Sequence, residues 1–176
     1  TDSNLNIYTS DINNHRIMKW IPGATEGTVV AGGNGAGSGN NQFNHPSGIK
    51  IDSSENIYVV DIYNHRIMRW APGASEGVVV AGGNGQGSAN NQLSSPFEID
   101  LDSNNNIYVT DYINGRVMKW APGASEGVVV AGGNVEGSDN NQLIGASGIS
   151  IDSLGNIYVN DFLNFRVMKW APGASE

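Results

Sequence analysis

The chain has 176 residues, of which 39% are hydrophobic and 15% charged, and it contains no cysteine. Its net charge of −8 disfavours nucleic acid and acidic membranes as partners, because both require clustered Lys and Arg. No apolar run approaches the roughly 18 residues of a membrane span, so we predict a soluble chain that does not enter a membrane. The absence of Cys excludes disulfides and thiolate metal sites and leaves the compartment undetermined.

The sequence repeats itself with a period of 50 residues. The triplet Asn-Ile-Tyr, for example, begins at Asn6 and again at Asn56. Self-similarity at a fixed period of this size indicates a repeat architecture. We therefore treat residues 1–176 as a single domain made of repeats 1–50, 51–100 and 101–150 and a partial repeat 151–176.

Each repeat predicts four short strands, because runs of β-branched and aromatic residues alternate with gaps rich in Gly, Pro, Asn and Ser. In the second repeat the strands are predicted, in chain order, at residues 48–52, 56–61, 66–70 and 77–83. Nothing has a sustained helical period, which excludes a helical solenoid. Applied to the whole chain, the pattern gives fourteen strands, with three in the first unit and three in the last.

Four strands in a repeat of this length are typical of a β-propeller blade. The string GI-x-IDSSENIYVVD-x-x-NHRI-x-x-W also resembles the NHL repeat, which is named after an Asn-His-Leu triplet near Asn64 and His65. Two repeats depart from that triplet, with Gly115 and Phe165 in place of His. The resemblance implies an all-β fold of about 3.5 repeats, whose four-stranded antiparallel sheets surround a central channel with the first strand innermost.

The two ends of the chain predict incomplete blades. The first blade is expected to lack its inner strand and the last blade its outer strand. An arc of blades with uncovered edges tends to associate. Two explanations stay open: the chain is a segment of a longer propeller, or copies of it close a ring, for which two copies are the simplest symmetric solution.

One set of polar residues recurs in every repeat and is predicted to be structural. Asp and Asn side chains would form hydrogen bonds with backbone amides in the turn. Arg would pair with a carboxylate, and in one version of this prediction that carboxylate belongs to the next blade. A single active site needs asymmetry, which an identical set in every blade does not provide. The set is Asp11, Asn14, Arg16, Asp61, Asn64, Arg66, Asp111, Asn114, Arg116, Asp161, Asn164 and Arg166. Four tryptophans recur likewise and are predicted to pack between blades: Trp20, Trp70, Trp120 and Trp170.

The positions that differ between repeats are the candidates for binding. Large residues in the turns after the second strands either form an exposed contact face for a protein or small ligand, or pack between blades. They are Ile12, His15, Ile62, Tyr63, His65, Tyr112, Ile113, Phe162, Leu163 and Phe165. On the inner strands, Glu98 and Asp100 could face a ligand near Lys50, or Lys50 and Asp100 form a salt bridge.

A metal site is not predicted. His15, His45 and His65 should lie on one face, but the equivalent positions in other repeats supply no third or fourth ligand. We therefore expect no metal and no cofactor.

The function predicted from these residues is a non-catalytic binding scaffold, whose partner is a protein, a small ligand or further copies of the chain. We expect that the chain is not an enzyme, because the Gly-x-Ser-x-Gly and His-Glu-x-x-His motifs and a Cys nucleophile are absent. The alternative is a propeller hydrolase or lyase with its site at the channel mouth. Some NHL domains bind RNA through a basic face, which this acidic chain lacks.

Overall fold

The computed structural model describes residues 1–174 as an all-β structure of fourteen strands. The strands are β1 (Ile7–Asp11), β2 (Arg16–Trp20), β3 (Thr28–Gly32), β4 (Pro46–Ile51), β5 (Ile57–Asp61), β6 (Arg66–Trp70), β7 (Val78–Gly82), β8 (Pro96–Leu101), β9 (Ile107–Asp111), β10 (Arg116–Trp120), β11 (Val128–Gly132), β12 (Ala146–Ile151), β13 (Ile157–Asp161) and β14 (Arg166–Trp170). Single-turn 3₁₀ helices lie at Ile12–Asn14, Ile62–Asn64 and Phe162–Asn164. No helix among residues 1–174 has the length and apolarity needed to cross a membrane.

The strands form four antiparallel sheets, in which each strand pairs with its neighbours in sequence. Blade 1 contains β1–β3, blade 2 β4–β7, blade 3 β8–β11 and blade 4 β12–β14. The first strands of blades 2, 3 and 4 lie side by side, since β4 contacts β8 and β8 contacts β12. This radial arrangement confirms the predicted all-β fold of propeller blades.

The strand bounds differ from the predicted ones chiefly at the inner edge of each blade. The inner strand β4 begins at Pro46, two residues before the predicted start at Gly48. Pro46 pairs with Asp61, and the register shifts between Pro46 and Ile49, which marks a bulge. Proline lacks an N–H but is tolerated in an edge strand. The sequence pattern treats proline as a strand boundary, so it underestimates the length of this strand.

The hydrophobic core lies between blades rather than inside any one of them. Trp70 is 1% exposed and packs with Ile17 and Phe43 of the preceding blade and link. The same arrangement recurs around Trp120 and around Trp170. Each blade therefore depends on its neighbour for the burial of its apolar face.

Gly77 shows how closely this layer is packed. A Cβ at Gly77 would lie 2.4 Å from a ring carbon of Trp70, so a larger residue does not fit. A Cβ at Gly27 or at Gly127 would lie 2.7 Å from the tryptophan ring of its own blade. The Gly after each Ser-Glu or Thr-Glu turn is thus a packing requirement.

Blades 1 and 4 each have one sheet face that no other blade covers among residues 1–174. Ile7 is 53% exposed, although the equivalent Ile57 is 5% exposed. At the other end Val167 is 69% exposed, although the equivalent Val117 is fully buried.

Candidate functional site

The recurring Asp, Asn and Arg residues form one hydrogen-bonded unit per blade, here called the clamp. In blade 2 the Oδ2 atom of Asp61 accepts from Arg66 Nε at 2.7 Å and from Asn64 Nδ2 at 2.8 Å. The guanidinium then donates from Nη1 to the carbonyl of Ser38 at 2.9 Å and from Nη2 to that of Gly39 at 2.9 Å. Ser38 and Gly39 belong to the preceding link, residues 33–45, which runs from β3 to β4. The clamp therefore fastens the link onto the blade that follows it.

The ion pair of the clamp lies within one blade, so the version in which Arg pairs with a carboxylate of the next blade is wrong. The reason is that β5 and β6 place Asp61 directly opposite Arg66 in the antiparallel register. Burial raises the pKa of Asp61, and its hydrogen bonds with Asn44 N–H, Asn64 and Arg66 oppose that rise. Burial likewise raises the pKa of Asp111 in blade 3.

Two of the predicted contact residues, His15 and His65, instead connect neighbouring blades. Both adopt left-handed backbone, with φ of 53° and 51°. His65 Nδ1 accepts the N–H of Ser95 at 3.1 Å, and His15 Nδ1 accepts that of His45 at 3.2 Å. An accepting Nδ1 requires a neutral ring protonated on Nε2. Burial lowers the pKa of His65, against the smaller opposing effect of the Asp111 and Asp61 carboxylates.

The turns after the second strands surround a cleft, here called the turn-face cleft, of about 610 Å³. It extends over blades 2, 3 and 4. Its lining residues are Ile62, Tyr63, Ser95, Phe97, Tyr112, Ile113, Ser147, Asn160 and Phe162. Tyr63 is 56% exposed and Phe162 54% exposed, so these rings face solvent rather than the inter-blade core.

Five of the predicted turn residues line the cleft, and the others lie outside it. The five are Ile62, Tyr63, Tyr112, Ile113 and Phe162. Ile12 lies in the turn of blade 1, and Leu163 and Phe165 are exposed in the turn of blade 4. Phe165 is 94% exposed, because no blade follows it among residues 1–174.

Sequence reasoning missed Phe97, which the fold places in the cleft at 6.2 Å from the ring of Tyr112. A signal was available, since Phe97 occupies the position held by Ser47 and Ser147 in the neighbouring repeats. Asn160 was missed as well. It stands where the other repeats have Ser10, Val60 and Thr110.

The charged residues of the inner strands form a separate group on the channel side. Lys50 Nζ lies 3.1 Å from Asp100 Oδ1, and Asp100 Oδ2 accepts the N–H of Ile151 at 2.8 Å. The Glu98 carboxylate occupies the space that a side chain at position 48 would fill, since a Cβ on Gly48 would contact its Oε1 atom. Burial raises the pKa of Glu98, and the nearby Lys50 opposes that rise.

Metal binding has no support in the part of the chain that the structure describes. There, no three His, Asp or Glu side chains come close enough to hold an ion together. His15 and His45 have ring centroids 5.1 Å apart in an edge-to-face arrangement, and His45 meets Tyr63 in the same way at 4.6 Å. These contacts are packing contacts between rings on the turn face.

Comparison with known proteins identifies both the repeat and the fold. The NHL repeat family model matches residues 43–69, and no curated protein sequence matches the chain. A Bacteroides thetaiotaomicron protein of unknown function superposes with a TM-score of 0.76 at 18% identity, over 93% of this chain and 44% of its own. A gluconolactonase from Xanthomonas campestris gives 0.72 at 13% identity, over 98% and 56%. A catalytically inactive virginiamycin B lyase variant from Staphylococcus aureus, solved with quinupristin, gives 0.60 at 12%, over 98% and 54%.

These comparisons contradict the expectation that the chain is not an enzyme. Gluconolactonases and streptogramin-type lyases have this fold, so the absence of the tested motifs does not exclude catalysis. At this level of identity the likeness shows the fold alone, and the chain spans about half the length of those structures. The NHL repeat model matches one repeat of the chain, and the recurrence of the same pattern every 50 residues and the four radial sheets show a β-propeller architecture of repeats similar to that one.

Proposed function

We propose that the chain binds a largely apolar ligand in the turn-face cleft. The observation that supports this most is the convergence of exposed rings from three blades, namely Tyr63, Phe97 and Phe162, on one concave surface. Solvent-exposed apolar rings that line a concave surface favour ligand binding, because covering them removes apolar area from water. Aromatic rings also favour ligands that stack on them or meet them edge to face.

The polar groups of the cleft favour a ligand that combines apolar area with one or two hydrogen-bonding groups. Ser95 and Ser147 belong to the lining, and Asn160 Nδ2 donates to Ser147 Oγ at 3.0 Å. A few fixed polar groups in an apolar cleft orient a ligand rather than provide most of its binding energy. The virginiamycin B lyase solved with quinupristin supports the proposal by analogy, since a protein of the same fold accommodates that molecule.

Replacing Phe97 tests the proposal with the smallest change that the chain offers. Phe97→Ser installs the residue that the neighbouring repeats have at this position, so the blade should fold normally. We expect quinupristin or an anilinonaphthalene sulfonate dye to bind the wild type saturably, and the variant about tenfold more weakly, because the ring and its apolar area are lost. Fluorescence titration measures both affinities.

Val129→Ser is the matched control, because Val129 is 44% exposed on an outer strand away from the cleft. It removes exposed apolar area elsewhere on the chain and should leave the affinity unchanged. Equal loss in both variants, or no saturable binding by the wild type, would contradict the proposal.

A second candidate function is a hydrolase or lyase activity on the channel side, which the names of the structural neighbours favour. Glu98 is the candidate general acid, because a carboxyl with a raised pKa retains its proton closer to neutral pH. Turnover of a sugar lactone or of quinupristin that is lost in a folded Glu98→Gln variant would support this function. Absence of turnover by the wild type on both substrates would reject it.

A further inference from the structure

The three histidines of the chain lie together at one wall of the turn-face cleft. The ring of His45 packs on Tyr63 with centroids 4.6 Å apart, and the ring of His15 lies 5.1 Å from that of His45. His65 follows Tyr63 by two residues in the same turn. Histidine is the side chain that changes charge near neutral pH, so this wall of the cleft is able to respond to acid.

His65 connects the turn of blade 2 to the turn of blade 3. Its Nδ1 atom accepts the N–H of Ser95 at 3.1 Å. The carbonyl of the preceding residue, Ser94, accepts the N–H of Ile113 at 3.2 Å. Ser95 and Ile113 both line the cleft. The segment 94–95 is therefore a bridge along the cleft wall, and His65 holds one end of it.

Protonation of His65 removes this connection. The neutral ring accepts a hydrogen bond through Nδ1, whereas the charged ring has two N–H donors and no acceptor. The ring and the N–H of Ser95 would then face each other as two donors. Ser95 has left-handed backbone, with φ of 50°, which is costly for a residue other than glycine. Loss of the bond therefore favours movement of Ser95 out of its place in the wall.

The surroundings of His65 leave its ring as the titrating group of the bridge. Asp61 and Asp111 attract a proton to this ring, but burial outweighs both and lowers its pKa. Each of these carboxylates is paired with the Arg opposite it at 2.7 Å. The link that contains Ser95, residues 83–95, has no charged side chain. Glu98 follows in β8, and its carboxylate lies on the channel side.

The next repeat shows that a blade folds without this bond. Gly115 corresponds to His65 and has the same left-handed backbone, with φ of 55°, but no side chain that could hold the link. Gly145 corresponds to Ser95, and its carbonyl still accepts the N–H of Phe162 at 3.3 Å. His65 therefore adds a connection between link and turn that the fold itself does not require.

We propose that His65 is a positioning residue that makes ligand binding in the turn-face cleft sensitive to pH. The neutral ring keeps Ser95 in the cleft wall, and the protonated ring releases it and weakens binding. This inference rests on the ligand binding proposed above. Because coupling between two binding events is reciprocal, a bound ligand must also make the ring of His65 harder to protonate.

The test is a fluorescence titration with Nile red, an apolar dye without charge, at pH 7.5 and at pH 5.0. We expect the wild type to bind about fivefold more weakly at pH 5.0, which corresponds to the net contribution of about one hydrogen bond. His65→Gly installs the residue of the next repeat and should show the weaker affinity at both pH values. Circular dichroism at both pH values checks that each protein remains folded.

His15→Gly is the matched control, because His15 has the same place in the preceding repeat and its Nδ1 accepts the N–H of His45 at 3.2 Å. Neither of these two residues lines the cleft. The control should therefore retain the pH dependence of the wild type. Glu98→Gln should retain it as well, which separates the effect of His65 from the titration of the neighbouring carboxylate.

Nuclear magnetic resonance gives a second readout that needs no ligand. The backbone ¹⁵N–¹H resonance of Ser95 should shift with the same pH midpoint as the ring of His65, and saturating dye should move that midpoint to lower pH. Saturable binding with a pH dependence that persists in His65→Gly, or a Ser95 resonance that does not follow the ring, would overturn this inference and leave the binding proposal intact. Absence of saturable binding by the wild type would contradict both.

Discussion

The same substitution in two blades should have very different effects on stability. Asp111 is fully buried and accepts from Arg116 Nε at 2.7 Å, Asn114 Nδ2 at 2.8 Å and Ser94 N–H at 2.6 Å. Asp111→Asn removes the negative charge and turns one acceptor into a donor that faces these donors. Arg116, whose side chain is 6% exposed, would then be a buried charge without a counterion. Removing one partner of a buried ion pair costs about 3–5 kcal/mol, a large part of a domain's stability of about 5–15 kcal/mol.

Asp11→Asn is the matched substitution in the first blade, where solvent reaches the carboxylate and Arg16. Water can replace the lost interactions there, so we expect little change in stability. Urea denaturation followed by tryptophan fluorescence measures both variants. For an m-value of about 2 kcal/mol per M, Asp111→Asn should lower the midpoint by about 2 M. Similar midpoints for the two variants would refute the argument that burial and link contacts make the clamp important.

Three further predictions concern pH and association. The pKa of His65 is lowered in the folded state, so its contribution to stability is fully present above pH 6.5 and is lost as the pH falls from 6.5 towards the folded-state pKa. The melting temperature of the wild type should therefore decrease in this range more steeply than that of His65→Asn. For Glu98, whose pKa is raised, the pH dependence is the opposite: the contribution of this residue to stability is present below pH 4.5 and is lost as the pH rises through the folded-state pKa. Glu98→Gln should therefore stabilise the chain more at pH 7 than at pH 4. We also propose that two copies associate through the faces on which Ile7 and Val167 are exposed, so sedimentation equilibrium should show a dimer that Val167→Lys weakens; a monomer at every concentration would contradict this.

The amino-acid sequence by itself determined the strands, their period and the blade as the unit of structure. These features depend on local patterns, because alternating β-branched residues favour strands and Pro-Gly and Asp-x-x-Asn segments favour turns. The recurring tryptophan was also enough to predict inter-blade packing, since a repeat of this kind has no other place to bury it. The bounds of β5 and β6 follow the pattern closely, and only the bulged inner strand β4 departs from it.

Only the tertiary structure decided which residues meet across blades. The link has no periodicity, so the sequence does not reveal that Arg66 donates to carbonyls 24–28 residues earlier in the chain. Nor does it place Phe97 beside Tyr112, because that contact depends on the angle between neighbouring inner strands and turns. His65 similarly belongs to an exposed turn by pattern, yet its ring accepts a hydrogen bond from the backbone of Ser95, at the end of the link that leads into the next blade. Contacts within a blade follow from the period of the side chains, whereas contacts between blades follow from the rotation that packs one sheet on the next.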